Sequence, residues 1–277
     1  MDNVFAADIA ARQSAGVARE LTATTPKDFH LRKNYNMRLV RLPLPEGAIV
    51  RHHGRLVASP ELVFLELAAH LDVHRLIFLG LQMCSHPVGR PAAAITSREK
   101  LASFVAKCSG HKGHRAAERA LKYVQDGSGS PLESIAYMLL SLPHALGGFG
   151  LNDVCFNYEV PLTEEHQRRL RQKRCFVDLY YRKKKVGVEY ESVTHHGTAA
   201  EQGKDFLRAA ALERQGIDLM RMSTIQLYDK NACAEFARNL ARRLGVRLRI
   251  RTPRFAPMHA ALRSLLPTAP RPEAPAI

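Results

Sequence analysis

The chain has 277 residues, enough for two ordinary domains of about 100–150 residues each. Its 46% hydrophobic and 24% charged content are those of a globular protein, and no apolar run is long enough to span a membrane. Forty-one Lys plus Arg against 26 Asp plus Glu give a net charge of +15, a field that attracts polyanions. The competing explanation is a basic protein from a high-pI proteome.

The absence of Trp and the 7% aromatic content argue against a stacking platform for single strands. The first 21 residues lack a basic segment followed by an apolar core, so no secretory signal is expected. Five cysteines make an odd set without the look of a disulfide framework. A cytoplasmic, reducing location is the expectation.

In chain order, residues 6–21 suit a helix, and residues 37–50 hold alternating stretches that suit short strands. Ser59-Pro60-Glu61 is a helix start: a capping hydroxyl, a proline in the first turn and an acid at the positive dipole end. That helix reads through Leu62, Phe64, Leu65, Leu67, Ala68 and Leu71. A second apolar segment follows over residues 73–84. Thr96-x-x-Glu99 has the form of a capping box, and residues 115–124 suit a further helix. Residues 1–126 therefore read as a mostly helical region.

Gly127-Ser128-Gly129-Ser130 reads as a flexible break and a domain boundary. Ser130-Pro131-Leu132-Glu133 opens another helix, ended by Pro143 and Gly147-Gly148. Residues 156–161 suit a strand. Residues 163–174 form a basic loop or short helix. In Phe176-Val-Asp-Leu-Tyr-Tyr-Arg-Lys-Lys-Lys-Val-Gly-Val-Glu-Tyr-Glu-Ser192, two β-rich segments flank a basic turn, which predicts a hairpin. A helix over residues 203–215, with Gly216 as its C′ residue, leads to a strand over 217–222. Strand, helix and strand in that order predict a parallel crossover. Asp229 caps a helix to Leu244, and residues 246–251 suit a last strand. Residues 252–277, with six prolines in 26 positions, read as a disordered tail.

Centring the hairpin on Lys183-Lys184 places Asp178 opposite Glu189 and Phe176 opposite Glu191. Strand alternation then puts Asp178, Glu189 and Glu191 on one face. Val177, Leu179, Tyr181, Val186, Val188 and Tyr190 fall on the other. Lys-Lys is poor chemistry for a two-residue turn, so a four-residue loop is expected. Directly opposed carboxylates, with Cβ atoms about 4.5–5.5 Å apart, repel one another. A cation between them relieves this, and Mg²⁺ suits an all-oxygen site. The alternative is that Arg or Lys side chains neutralise the pair on a solvated face.

These residues resemble the PD-(D/E)XK nuclease superfamily, in particular a subfamily similar to very-short-patch-repair endonucleases. Glu133 in a helix, Asp178 after Val177, Glu189 and Glu191, His195, Asp205 and Arg208 on a helix, and Arg221 on a strand follow its order over about 120 residues. The chain departs from the pattern at Glu191, where Asp or Lys is usual, and at Ser192, where Gly is usual. The resemblance implies a restriction-endonuclease-like mixed sheet flanked by helices over residues 130–251. It also implies a Mg²⁺-dependent endonuclease acting on DNA, with Asp178, Glu189 and Glu191 as metal ligands. Glu133 and His195 join these three as catalytic residues. An inactive nuclease fold that only binds nucleic acid is the alternative, because the usual lysine is missing.

Arg169, Arg171, Lys173, Arg174, Lys183, Lys184 and Arg208 are the expected nucleic-acid contacts. Simpler roles compete at three places. Glu133 could complete a capping box with Ser130, Asp205 and Arg208 could be a helical ion pair, and His195 could be a polar loop residue. Cys84-x-His86 and Cys108-x-x-His111-x-x-His114 have metal-like spacing, against the reading of core cysteines with surface histidines. Residues 52–71 also resemble a segment of AbiEi-type antitoxin regulators, a family linked to abortive infection, although no winged helix is recognisable.

Overall fold

The computed structural model describes residues 42–191 and 199–268, together with two short strands nearer the N-terminus. These two, β1 (Arg19–Ala23) and β2 (Tyr35–Leu39), pair in parallel. Residues 19–21, expected to end a helix, therefore lie in a strand, and the rest of that expected helix lies outside the described residues. β3 (Ile49–His52) and β4 (Arg55–Ala58) form a separate antiparallel hairpin.

Ser59 caps α1 (Pro60–Leu67) by accepting from the Leu62 amide, as its sequence foretells. Asp72 caps α2 (Val73–Met83). Ser97, not Thr96, caps α3 (Arg98–Ala106), because Thr96 is buried and its hydroxyl donates to Glu61. α4 (His114–Leu121) and α5 (Pro131–Ser141) complete the helical layer.

Then come β5 (Cys155–Pro161), α6 (Glu164–Leu170), β6 (Arg174–Tyr181) and β7 (Val186–Glu191). They are followed by α7 (Ala199–Arg214), β8 (Asp218–Ser223), α8 (Thr224–Tyr228), α9 (Lys230–Leu244) and α10 (Phe255–Arg263). The four-stranded sheet has the order β5-β6-β7-β8, antiparallel in its first two pairings and parallel in the last. The β7–α7–β8 connection is the parallel crossover expected from the sequence.

The described residues thus form a mixed α/β structure with helices on both sheet faces. Leu179, Tyr181, Val186, Val188, Met220 and Met222 join the main core with α5 and α9. Val177, Tyr180 and Ile217 pack with Ala211 and Leu212 of α7 and with Leu170 of α6. The main core draws on residues from Ala48 to Leu262, so the helical layer and the sheet share one interior. Gly127 and Ser128 are buried and pinned: Gly127 N–H donates to Cys84 O, and Ser128 O accepts from His86 N–H. The glycine–serine break is accordingly a packed junction.

Two further expectations need correction. Residues 246–251 make no strand; they leave α9 at Gly245, and Leu248 alone packs against the core. The segment read as a tail holds α10, whose Leu262 and His259 are buried. Its prolines fall near the helix start or beyond its end, where they are tolerated. Residues 269–277 lie outside the described residues. No described helix is long and apolar enough to cross a membrane. All five cysteines are free thiols, and four of them are buried.

Candidate functional site

β6 and β7 are joined by a four-residue turn, 182–185, with Lys185 in the left-handed region. The register is the expected one: Tyr181 faces Val186, Tyr180 faces Gly187 and Leu179 faces Val188. The next pair would be Asp178 and Glu189, and there the ladder stops. Asp178 Oδ2 instead accepts the backbone N–H of Tyr190 at 2.9 Å. A short acidic side chain has taken over a strand donor, the usual way such residues compete with regular pairing.

The other side of β6 is interrupted at the same residue. β5 pairs with it at Phe156–Leu179 and at Tyr158–Val177, leaving Asn157 and Asp178 opposite each other and outside the ladder. Asn157 sits at φ 41, a conformation that Asn tolerates better than most residues. The paired kink breaks strand alternation. Tyr158 stacks on Tyr180 with centroids 4.2 Å apart, and Val177 crowds Gly187. Val177 therefore faces α7 with Tyr180, not the main core with Leu179 as regular alternation predicts.

The carboxylates gather around this kink. Glu189 is 13% exposed and lies 2.6 Å from Arg208 of α7, a close ion pair without hydrogen-bond alignment, since Glu189 Oε1 has no hydrogen-bond partner. Arg208 also donates to Phe176 O, so its expected partner Asp205 is not the one it takes. Glu191 is half-exposed and pairs with Arg221 of β8 at 3.1 Å. Thr224 at the start of α8 holds the end of β7 by donating to Glu191 O.

Glu133 comes from the first turn of α5. Its amide donates to Ser130 Oγ, and its carboxylate accepts from the Gly129 amide and from Asn157 Nδ2, at 2.9 and 3.3 Å. It caps the helix and also reaches the kink. Asn157 Nδ2 donates to Gly127 O as well, at 2.7 Å, which ties the helical layer to β5.

Burial and mutual repulsion shift these acids. Desolvation and the Glu133 charge push Asp178 up to about 7, against the pull of the Tyr190 amide and Arg208. Glu189 is also raised to about 7 by burial; Arg208 opposes this, while the Asp178 and Glu191 charges add to it. Burial raises Glu133, with the Gly129 amide opposing.

Asp178 opens onto a cleft of about 660 Å³ walled by Lys173, Arg174, Lys204, Arg208, Phe176 and Asn157, among others. Three expected nucleic-acid contacts, Lys173, Arg174 and Arg208, are therefore brought beside Asp178. Arg169 pairs with Glu165 on α6, and Arg171 follows that helix in the left-handed region. Lys183 pairs with Asp153 at 2.8 Å, and Lys184 lies in the same turn, at the other end of the strands from Glu191. His195 lies outside the described residues.

Among the described residues no three His, Cys, Asp or Glu side chains come together as a ready set of metal ligands. The Asp178 and Glu191 charges both act on Glu189, and Glu191 pairs with Arg221. Cys84 and Cys108 sit in the apolar core, as the simpler reading has it. Asn157 and Lys204 are the residues that sequence reasoning missed. An Asn inside an otherwise β-rich run is unusual and was the available signal. No family model, curated protein or solved structure matches this chain.

Proposed function

We propose that this chain is a Mg²⁺-dependent phosphodiesterase acting on DNA, built on a restriction-endonuclease-like sheet in a cytoplasmic protein. One observation carries the reading. Glu133, Asp178 and Glu189 crowd into a half-buried kink beside a cleft with basic walls, and two of them are raised to about 7. A fold does not keep buried like charges together without compensation. Asn157 Oδ1 is buried there without a hydrogen-bond partner, and Glu189 Oε1 has the Arg208 ion pair as its one compensation. Asp178 and Glu189 would hold the ion, which fits an all-oxygen donor set. Bound there, Mg²⁺ supplies charge stabilisation to a phosphoryl oxygen and acidifies a bound water.

The remaining work falls to the chain's own groups. Lys173, Arg174 and Lys204 would bind the phosphate backbone along the cleft without reading bases. Arg208 would leave Glu189 for a phosphate oxygen when substrate arrives, since its fork suits both anions. Glu133 and Asn157 would hold Asp178 at the kink.

A second reading is a non-catalytic nucleic-acid-binding regulator of the toxin–antitoxin kind. The ion pairs Arg208–Glu189 and Arg221–Glu191 favour it, because they neutralise the acids without a metal. Nicking of supercoiled plasmid by the purified chain separates the two. The phosphodiesterase reading expects nicking in Mg²⁺, none in chelator, and a loss of at least about 100-fold in D178N, the scale of losing a principal catalytic group. Absence of nicking with retained DNA binding would leave the regulator.

A further inference from the structure

The β6–β7 turn stands at the end of the sheet remote from Glu191, about 13 Å along the strand from Glu189 at about 3.3 Å per residue. Two helix C-termini meet it. Lys185 Nζ lies 3.9 Å from where a side chain on Gly216, after α7, would begin. Lys184 Nζ lies 3.7 Å from the corresponding point on Gly245, after α9. Lysines there complement the negative ends of both helices. That accounts for the two lysines, but not for the arginines next to them.

From Gly245 the chain continues Val-Arg-Leu-Arg-Ile-Arg, with Arg247, Arg249 and Arg251 all exposed. On α9, Arg238 and Arg242 are one turn apart and also exposed. Arg238, Arg242 and Arg247 line one groove of about 670 Å³, with Glu235 as its acid. Arg243 is used by Asp218, and Arg242 donates to Asn239. Among the described residues no carboxylate forms an ion pair with Arg238, Arg242, Arg247, Arg249 or Arg251.

We infer that this arginine surface, continuous with Lys184 and Lys185, is a second site for the phosphate backbone of duplex DNA, separate from the carboxylate cleft. Its choice of DNA rests on the reading above. Guanidinium groups keep their charge and bind phosphate oxygens in pairs. Because its lysine end is about 13 Å along the strand from Glu189, the surface would anchor the duplex without touching the bond under attack.

The test is fluorescence anisotropy of a labelled duplex with the full chain, in Ca²⁺ to prevent cleavage, over a range of salt. Each lost phosphate contact lowers the log–log salt slope by about 0.9. R247Q/R249Q/R251Q should therefore bind with a slope shallower by about two to three. R238Q/R242Q should lose about one to two, with melting temperatures unchanged because the side chains are exposed. Unchanged slope and affinity in both arginine variants would overturn the inference. So would wild-type binding to phosphatidylserine vesicles without binding to duplex. A reduced slope in variants of a chain that never nicks DNA would uphold this surface and sink the phosphodiesterase reading. Nicking with unchanged slopes would do the reverse.

Discussion

Asp178 and Asn157 form a kink that interrupts the strand ladder on both sides of β6. The type of Asp178, its neighbour Glu189 and the hairpin register are all legible from Phe176 to Ser192. The kink is not, because alternation is a local rule and the kink needs Asn157, a residue 21 positions away, at φ 41. Burial at this kink has a consequence for stability. The folded chain holds the Asp178 proton up to about 7, whereas the ordinary value is 3.8. Its favourable contribution is therefore fully present below about pH 4 and is lost as pH rises toward 7. At about 1.4 kcal/mol per unit, the loss has an upper bound of roughly 4 kcal/mol. In chelator, urea titrations of wild type and D178N should diverge between pH 4 and 7, with D178N equal or more stable at pH 8. Parallel pH profiles for the two proteins would show that Asp178 is ionised without cost.

At the scale of elements, helix starts were the most readable features, because a capping side chain and its amide are three residues apart. Ser59, Ser130 and Asp229 all cap the helices expected of them. Thr96 fails because a long-range partner, Glu61, competes for its hydroxyl. Strand faces are harder: Val177 turns toward α7 only because the ladder is interrupted on both sides of Asp178. Gly187 tests this directly. A Cβ there would lie 2.8 Å from Val177 Cγ1 and 3.0 Å from a Leu219 methyl carbon. G187A should cost about 1–3 kcal/mol, the scale of overpacking a filled core. V177A should relieve most of that cost, read from a double-mutant cycle. If G187A is neutral, Val177 does not face α7 and strand alternation continues unbroken through Asp178.

At the scale of the whole molecule, the Gly127–Ser130 stretch was legible as a break in pattern but not as a packed junction. Composition signals flexibility, while burial depends on what the fold brings against it. The same limit hid α10, whose buried Leu262 lies in a proline-rich stretch. One shared interior predicts one cooperative unit. Native-state hydrogen exchange should give the slowest amides of α2 and of β6 the same opening free energy. Distinct values would make the helical layer and the sheet separate folding units.

The central claim is that Asp178 and Glu189 form a divalent-cation site. Calorimetric titration of the full chain with Mg²⁺ at pH 7.5 tests it without reference to any substrate. One ion should bind per chain with release of protons, because two acids raised to about 7 must both ionise. Heats measured in two buffers of different ionisation enthalpy would reveal those protons, and D178N and E189Q should each abolish the binding. Wild-type protein that takes up no Mg²⁺, or binds it equally well in both variants, would contradict the account.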